Sequence, residues 1–224
     1  MKAMLLAAGR GERLRPLTER IPKALVPVGG KPLLAWHLER LAAAGCREAV
    51  VNVSHLAEQI VDYVGDGARF GLKVAFSREG EPLETAGGIA QARPLLGDAP
   101  FLLVNADIYC EVGFRPLLAH RLGAMLAHLV LVPNPAHRPK GDFSLVGQRI
   151  GDAASARYTY AGVAVMSPQL VASVKRGEKA ALAPLLYEAA RAERLSGELF
   201  TGLWQDVGTA ERLAELAAQL ASRT

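Results

Sequence analysis

The sequence contains few cysteines and few aromatic residues, and it lacks a long apolar run. Its two cysteines, Cys46 and Cys110, stand far apart, fit no metal-binding or redox spacing, and are too few for the disulfide framework of a small secreted protein. We therefore expect two reduced thiols and a cytoplasmic protein. Because no apolar run approaches the ~20 residues that span a bilayer, we expect no transmembrane helix.

Internal repeats, low-complexity tracts, linkers and basic runs are also missing. A chain of 224 residues without such features is expected to form one domain with a sizeable core. The net charge is +4, but the basic residues are scattered among acidic ones and are not interleaved with aromatic residues. A mildly basic solvated surface or small phosphorylated substrates would explain this charge equally. We expect no nucleic acid and no membrane as partner, and the oligomeric state stays open.

What the sequence does contain is a glycine loop followed by basic residues. Residues 2–8 are apolar and end at a glycine, which predicts a buried strand whose carboxyl end leads into the loop, where ligands of α/β sheets bind. Gly9 and Gly11 allow backbone N–H groups to approach phosphate oxygens, and Arg13 and Lys23 can add positive charge to the same anion. The pattern predicts a nucleoside triphosphate site.

Two common phosphate-binding patterns do not fit this loop. The third glycine of a dinucleotide fingerprint would fall at Leu14, and the second predicted strand carries Asn52 and Ser54 where a ribose-binding acid is expected. The Walker pattern fails too, because Gly-Lys-Ser/Thr does not follow at the required spacing. The loop therefore indicates a phosphate site of another kind.

Apolar periodicity predicts an α/β fold with a mainly parallel sheet flanked by helices. The first half alternates strand-like runs with helical stripes: strands at 2–8, 49–54, 72–77 and 101–106, and helices at 32–44, 55–64 and 85–96. The second half predicts shorter strands inserted beside that sheet and two closing helices: strands at 129–133, 142–146 and 158–166, and helices at 184–195 and 209–221. We expect these inserted strands to form a small antiparallel region, which would bind a sugar if the family resemblance described below holds.

Asp107 and Asp206 are candidate metal ligands. Asp107 follows a very apolar strand, so its carboxylate is expected at the ligand edge of the sheet. From position alone, Asp107 could equally be a turn residue, and Asp206 could simply lead into a helix capped by Thr209. Both interpretations stay open on the residues themselves.

The chain resembles the sugar-1-phosphate nucleotidylyltransferases, enzymes with a Rossmann-like, glycosyltransferase-A-like fold. The resemblance covers the whole length and is carried by four segments: 6–28, 80–88, 104–107 and Trp204-Gln205-Asp206-Val207-Gly208-Thr209. It implies one nucleotidyltransferase domain, 1–224, with a mainly nucleotide-binding part (1–107), a mainly sugar- and metal-binding part (108–208) and a closing helix (209–224). The acetyltransferase repeats of larger relatives are absent.

The resemblance also implies roles for individual residues. Arg13, Lys23 and Asp107 are the expected catalytic residues, and Asp107 and Asp206 would bind Mg²⁺. The expected nucleotide contacts are Leu6, Ala7, Ala8, Gly9, Arg10, Gly11, Glu12, Arg13, Lys23, Glu81, Leu83 and Gly87. The expected sugar contacts are Asn105, Asp142 and Gly162. In this reaction a sugar 1-phosphate attacks the α-phosphorus of a nucleoside triphosphate and pyrophosphate leaves.

Segments 65–71 and 95–105 resemble the members that transfer a uridylyl group from UTP to N-acetylmuramic acid α-1-phosphate, which implies UDP-N-acetylmuramic acid as product and a place in peptidoglycan recycling. Ala86 departs from the glycine that most such members carry. dTTP or GTP with glucose or mannose 1-phosphate stays open, as does a non-catalytic sugar-nucleotide sensor. The candidate cations for a lactyl carboxylate are His137, Arg138, Lys140 and Arg149.

Overall fold

A computed structural model describes residues 1–152 and 157–223. These residues form strands that we number in chain order: β1 (Ala3–Leu6), β2 (Pro27–Val28), β3 (Lys31–Pro32), β4 (Glu48–Val53), β5 (Lys73–Arg78), β6 (Phe101–Asn105), β7 (Ile108–Cys110), β8 (Ala127–Val132), β9 (Phe143–Val146), β10 (Arg149–Gly151), β11 (Arg157–Met166), β12 (Leu195–Leu199) and β13 (Trp204–Asp206). The helices are α1 (Leu33–Ala43), α2 (Ala57–Val64), α3 (Glu84–Leu96), α4 (Phe114–Ala119), α5 (Leu182–Arg191) and α6 (Ala210–Ala221). Within the described ranges, no helix is both long enough and apolar enough to cross a membrane.

The main sheet has nine strands in the order β5-β4-β1-β6-β11-β8-β12-β10-β9. The first four are parallel, as the alternation of strands and helices predicts. β11 is antiparallel to both β6 and β8, whereas β12 is parallel to β8. The predicted Rossmann-like α/β fold is confirmed, but the strands of the second half extend the main sheet instead of standing beside it.

The chain around Leu195 differs from the sequence prediction. The predicted helix 184–195 ends at Arg191, and the residues from Leu195 form β12. Glu193 takes a positive φ of 55°, which turns the chain back toward the sheet. Leu195 and Gly197 alternate with more exposed neighbours over only five residues, which is too short a stretch for its period of two to stand out beside the helical stripe before it.

Alternating residues of the central strands face two helical layers. On β1, Leu5 belongs to the core beneath α1, α2 and α4, whereas Met4 belongs to the core beneath α3 and α5. On β11, Val163 and Ala164 divide in the same way. Because both faces of the sheet are covered, its strands are apolar on both sides, which is typical of α/β folds.

Three strands end in register at one edge of the sheet. Leu6, the last residue of β1, pairs with Asn52 on β4 and with Asn105 on β6. The loops that follow these strands therefore meet. A second small sheet, β7 with β13, places Asp206 opposite Ile108 and so beside the end of β6. The fold thus brings segments from the start, middle and end of the chain to one place.

Candidate active site

An open pocket of about 670 Å³ lies at this edge of the sheet. Three segments that contain predicted site residues contribute to it, namely 6–9, 23–24 and 105–107, and so does the loop after β5. Its lining residues are Leu6, Ala7, Ala8, Gly9, Lys23, Ala24, Asn52, Glu79, Pro82, Glu84, Thr85, Asn105, Ala106 and Asp107. The pocket therefore combines the glycine loop, one basic residue and one of the two predicted metal ligands.

Lys23 and Asp107 form an ion pair in this pocket. The Lys23 Nζ lies 2.6 Å from Asp107 Oδ2, and the two side chains are 11% and 42% exposed. A nearly buried ammonium needs such a partner, because removing it from water is costly. Asp107 still reaches solvent, so the pair presents both a cation and a carboxylate to a ligand.

The glycine loop is a tight turn with an open side. Gly11 has a φ of +64°, and a Cβ on it would lie 2.8 Å from Thr18 Cγ2, so a side chain is excluded on two grounds. Thr18 Oγ1 donates a hydrogen bond of 2.8 Å to the Gly11 carbonyl oxygen and fixes the turn. Gly9 has open space where a side chain would point. A ligand can therefore approach the backbone at Gly9.

The charged residues of the loop point to two different places. Arg10 pairs with Glu81 at 2.6 Å in an exposed ion pair that joins the glycine loop to the loop after β5. Glu12 and Arg13 lie in a short 3₁₀ turn, both exposed. The Arg13 guanidinium reaches Gly208, where its Nη2 is 3.1 Å from the position that a Cβ would take. Arg13 thus lies outside the pocket lining, near the strand that carries Asp206.

Asn52 and Glu79 are buried polar residues that sequence reasoning did not assign to the site. Asn52 Oδ1 accepts a hydrogen bond from the Ala7 N–H at 2.7 Å, and Asn52 Nδ2 donates to Glu79 Oε1 at 2.7 Å. Glu79 Oε2 accepts from the Leu83 N–H at 2.9 Å. The residues are only 3% and 6% exposed. This chain of hydrogen bonds ties the glycine loop to the loop after β5. A polar residue near the end of a buried strand was the available signal.

Gly87 and Gly88 lie inside α3 and are buried. A Cβ on Gly87 would come within 2.2 Å of the Glu178 carbonyl oxygen, and one on Gly88 within 2.7 Å of Glu79 Oε1. Both glycines are therefore needed for close packing around the pocket wall. Gly87 is outside the pocket lining, and its predicted contact with a nucleotide stays a prediction.

The start of α3 carries an unusual backbone conformation beside the pocket. Leu83 precedes the helix, and Glu84, its first residue, has a φ of 60°. A left-handed conformation is uncommon in a residue other than glycine and often marks functional sites. The Glu84 carboxylate lies 3.7 Å from the Lys179 ammonium in an exposed pair. Glu81 and Leu83, two predicted nucleotide contacts, lie in the loop between β5 and α3. The Arg10–Glu81 pair and the Glu84–Lys179 pair tie this loop to its neighbours.

Asp206 is held by one of its two carboxylate oxygens. Arg212 Nη1 donates to Asp206 Oδ2 at 2.5 Å and also to His137 Nε2 at 2.8 Å. The same His137 nitrogen is 3.1 Å from Asp206 Oδ1. Within residues 1–152 and 157–223, Asp206 Oδ1 is a buried oxygen that meets no hydrogen-bond geometry.

Asp107 and Asp206 fit a divalent metal ion. Asp107 directly precedes β7, Asp206 is the last residue of its partner strand β13, and the Val207 N–H donates to the Asp107 carbonyl oxygen at 2.9 Å. Mg²⁺ prefers oxygen ligands and is usually bound by one or two carboxylates together with water and phosphate. The unpaired Asp206 Oδ1 supplies such an oxygen. No cluster of three or more His, Cys, Asp or Glu side chains occurs in the described part of the chain, so water or phosphate oxygens would complete the coordination of a metal here.

The structure brings two of the three predicted sugar contacts together. Gly162 on β11 has a φ of +75°, and a Cβ there would lie 2.7 Å from Asn105 Nδ2. Asn105 lines the pocket, and the pairing of β11 with β8 shifts register around Gly162. Asp142 directly precedes β9 and lies beside β11, where its Oδ2 accepts from the Tyr160 N–H at 2.8 Å. Asp142 is outside the pocket lining, so its sugar contact stays a prediction.

A second hollow of about 900 Å³ adjoins Asp206. Trp204, whose indole N–H donates to the Ala161 carbonyl oxygen at 2.8 Å, forms part of its wall. Of the cations proposed for a lactyl carboxylate, His137 lines this hollow. Arg149 instead pairs with Glu193 at 3.2 Å in an exposed contact away from it. His137 thus lies beside Asp206 and Arg149 does not, and a contact of either with a lactyl carboxylate stays a prediction.

Behind Asp107, burial keeps two groups uncharged. Burial lowers the pKa of His37 to about 4, although its Nε2 shares a hydrogen bond of 2.8 Å with the Ile108 carbonyl oxygen. Burial also raises the pKa of Cys110 to about 11, which makes this thiol a poor nucleophile. Neither group lines the pocket, so both serve as support for β7.

The glycine loop, Lys23 and Asp107 thus line one pocket at the carboxyl edge of the sheet, where α/β folds bind their ligands. Residues 2–146 match the family model described as Nucleotidyl transferase, and the chain belongs to this family. Members of this family generally use divalent metal ions. The prediction of a nucleotidyltransferase enzyme is thereby confirmed.

The relatives are similar over most of the chain. An N-acetylmuramate alpha-1-phosphate uridylyltransferase of Neisseria meningitidis serogroup B is 48% identical over 227 residues, covering 97% of both chains. A glucose-1-phosphate thymidylyltransferase of Streptomyces griseus is 32% identical over 96% of this chain and 65% of its own length. A solved Bacillus anthracis structure described as a glucose-1-phosphate thymidylyltransferase with sucrose has a TM-score of 0.87 at 18% identity, covering 98% and 95% of the two chains, which shows the shared fold.

Proposed function

We propose that this enzyme transfers a uridylyl group from UTP to N-acetylmuramic acid α-1-phosphate and uses Mg²⁺. The products are UDP-N-acetylmuramic acid and pyrophosphate. The observation that carries the proposal is the Lys23–Asp107 pair at 2.6 Å in the pocket of a chain that matches the Neisseria relative over 97% of its length. Such a product would serve in the recycling of peptidoglycan. Because UTP is a cytoplasmic nucleotide, we place the enzyme in the cytoplasm.

The chemistry requires positioning and positive charge. An oxygen of the sugar phosphate forms a bond to the α-phosphorus of UTP, and the bond from that phosphorus to the bridging oxygen of pyrophosphate breaks. Transfers of this kind depend mainly on alignment and on cations placed where negative charge develops. In our proposal Lys23 binds the α-phosphate and the incoming sugar phosphate, and Arg13 binds the leaving pyrophosphate.

The glycine loop and the loop after β5 would bind the nucleotide. The open side of Gly9 leaves room for close approach of a ligand to the backbone. The hydrogen bonds through Asn52 and Glu79 keep the two loops at a fixed separation. We assign residues 1–107 mainly to nucleotide binding on this basis. Preorganised loops raise affinity because less conformational freedom is lost on binding.

Asp107 and Asp206 would hold the metal. When bound, Mg²⁺ neutralises negative charge on phosphate oxygens and orients them. Residues 108–208 supply Asp206, Asp142 and Gly162, and we assign this part mainly to the sugar and the metal, with 209–224 closing it. Asn105, which contacts Gly162, lies between the two parts.

Pyrophosphate release tests the proposal directly. Purified enzyme is incubated with Mg²⁺ and UTP, dTTP or GTP, each paired with the 1-phosphate of N-acetylmuramic acid, N-acetylglucosamine, glucose or mannose. We expect fast release with UTP and the muramyl phosphate, and loss of release when the metal is chelated. Asp107→Asn provides an inactive control from within the pocket.

Each other outcome changes a defined part of the proposal. Fast release with glucose 1-phosphate and dTTP would align the enzyme with the Streptomyces relative instead. Fast release with mannose 1-phosphate and GTP would align it with the mannose-1-phosphate guanylyltransferase of Danio rerio, which is 42% identical over 53% of this chain and 34% of its own length. Release that persists without any divalent metal would contradict the assignment of Asp107 and Asp206.

A further inference from the structure

Arg212 is a nearly buried cation that no sequence pattern singled out. It lies in the first turn of α6, its side chain is 12% exposed, and its Nε donates to Thr209 Oγ1 at 3.4 Å. A cation in the first turn of a helix faces the positive end of the helix dipole, which is unfavourable. Its position therefore calls for a compensating interaction, and Asp206 provides it.

The contact between Arg212 and Asp206 is one-sided. Arginine commonly binds a carboxylate with two parallel hydrogen bonds, one to each oxygen. Here Nη1 donates to Asp206 Oδ2 and lies 2.8 Å from His137 Nε2, whereas Nη2 occupies the space where a Cβ on Gly208 would point. Asp206 Oδ1 is buried, lies 3.1 Å from His137 Nε2 and meets no hydrogen-bond geometry with the residues that the structure describes. Arg212 thus fixes the carboxylate by one oxygen and leaves the other available.

We propose that Arg212 is a positioning residue for the metal ligand Asp206. It neutralises and orients Oδ2, so that Oδ1 serves as a ligand of a divalent cation. A buried carboxylate oxygen without a partner is unfavourable, and a bound cation removes this penalty. Groups that orient a ligand in this way commonly contribute 10- to 100-fold to metal affinity. This inference rests on the proposed function, because it takes the metal site from there.

Gly208 makes this arrangement possible. A Cβ at this position would lie 2.4 Å from Arg212 Nη2 and 3.1 Å from Arg13 Nη2. Any side chain would therefore displace the Arg212 guanidinium. Gly208→Ala offers a second route to the same perturbation, in which the charge of Arg212 is kept while its guanidinium, and to a smaller extent that of Arg13, is displaced.

Binding of Mn²⁺ alone, followed by electron paramagnetic resonance, tests the inference without using activity. We expect Arg212→Gln to bind Mn²⁺ about 10- to 100-fold more weakly than the wild type and Arg212→Lys to recover part of the loss. Arg223→Gln is the matched control, because Arg223 pairs with Glu111 on the surface, at 2.6 Å, near the other end of the same helix. Its Mn²⁺ affinity should equal that of the wild type. The Mg²⁺ concentration needed for half-maximal turnover should rise most in Arg212→Gln, less in Arg212→Lys and not at all in Arg223→Gln.

The Mn²⁺-binding results of these variants distinguish a failure of the inference from a failure of the proposed function on which it rests. Unchanged or tighter Mn²⁺ binding by folded Arg212→Gln would overturn the inference and make Arg212 a mere counter-ion. If Arg212→Gln does not fold, Gly208→Ala decides, and wild-type affinity in that variant would overturn the inference. Wild-type affinity in Asp206→Asn, or no Mn²⁺ binding by the wild type, would show instead that the proposed metal site is wrong.

Discussion

Lys23→Met removes one charge from the pocket and keeps most of the apolar stem of the side chain. Deleting a single preorganised charge stabiliser typically lowers turnover by ~10²- to 10³-fold, or about 3–4 kcal/mol of transition-state stabilisation. The cost in folding stability should be about 1 kcal/mol or less. Asp107 is 42% exposed, so water can replace the lost ammonium.

Substitution of the other member of the ion pair should affect stability as well as activity. Asp107→Asn leaves the Lys23 ammonium, which is 11% exposed, without its charged partner. Removing one partner of a largely buried ion pair costs about 3 kcal/mol or more. We therefore expect Lys23→Met to lose activity with little loss of stability, and Asp107→Asn to lose both.

Steady-state pyrophosphate release and urea unfolding measure the two effects on the same preparations. Lys31→Met is the control for loss of a lysine, because Lys31 pairs with Glu39 outside the pocket. It should retain wild-type turnover. The reasoning would be refuted if Lys23→Met stayed within threefold of wild-type turnover, or if it lost as much stability as Asp107→Asn.

Three further predictions address the supports of the site. Asn52→Ala and Glu79→Gln should each cost about 2 kcal/mol in urea unfolding, and the double variant less than their sum, because both break one chain of hydrogen bonds; additive losses would contradict the coupling. The pKa of His37 is lowered to about 4 from a usual 6.5, so the unfolded chain takes up the proton first as the pH falls. The free energy of unfolding should therefore drop by roughly 3 kcal/mol between pH 6.5 and pH 4. His37→Gln should flatten this dependence of stability on pH, and an unchanged dependence would exclude His37 as its source. Gly162→Ala should raise the KM for the sugar phosphate more than that for UTP, since its Cβ would displace Asn105, and equal effects would argue against a sugar-side role.

The parts of the site that sequence could predict are those set by local pattern. The glycine loop directly follows β1, and Asp107 directly follows the apolar β6, so strand-end reasoning placed Gly9, Lys23 and Asp107 near one edge, and the structure places all three in one pocket. The parallel half of the sheet was predictable for the same reason. Its strands alternate with helices whose apolar stripes are long enough to recognise.

The rest depends on contacts between distant segments. Asn52 and Glu79 become a pair only because β4 and β5 are neighbours and Gly88 leaves space for them. β7 and β13 have three residues each, which carries no periodic signal, yet their pairing brings Asp206 to Asp107. In the sequence, Arg212 looks like an ordinary exposed residue of α6. Its role becomes visible only when the packing of α6 brings it to Asp206.

The antiparallel pairing of β6 with β11 has a consequence for synthesis of the chain. β6 is fully apolar from Phe101 to Val104, and one of its edges is covered only by β11, which begins at Arg157. At ~5–20 residues per second the ribosome needs on the order of seconds to deliver that partner. During this interval the nascent chain exposes an apolar strand edge of the kind that templates aggregation. The newly made protein should therefore depend on chaperone protection at β6 long before its active site is complete.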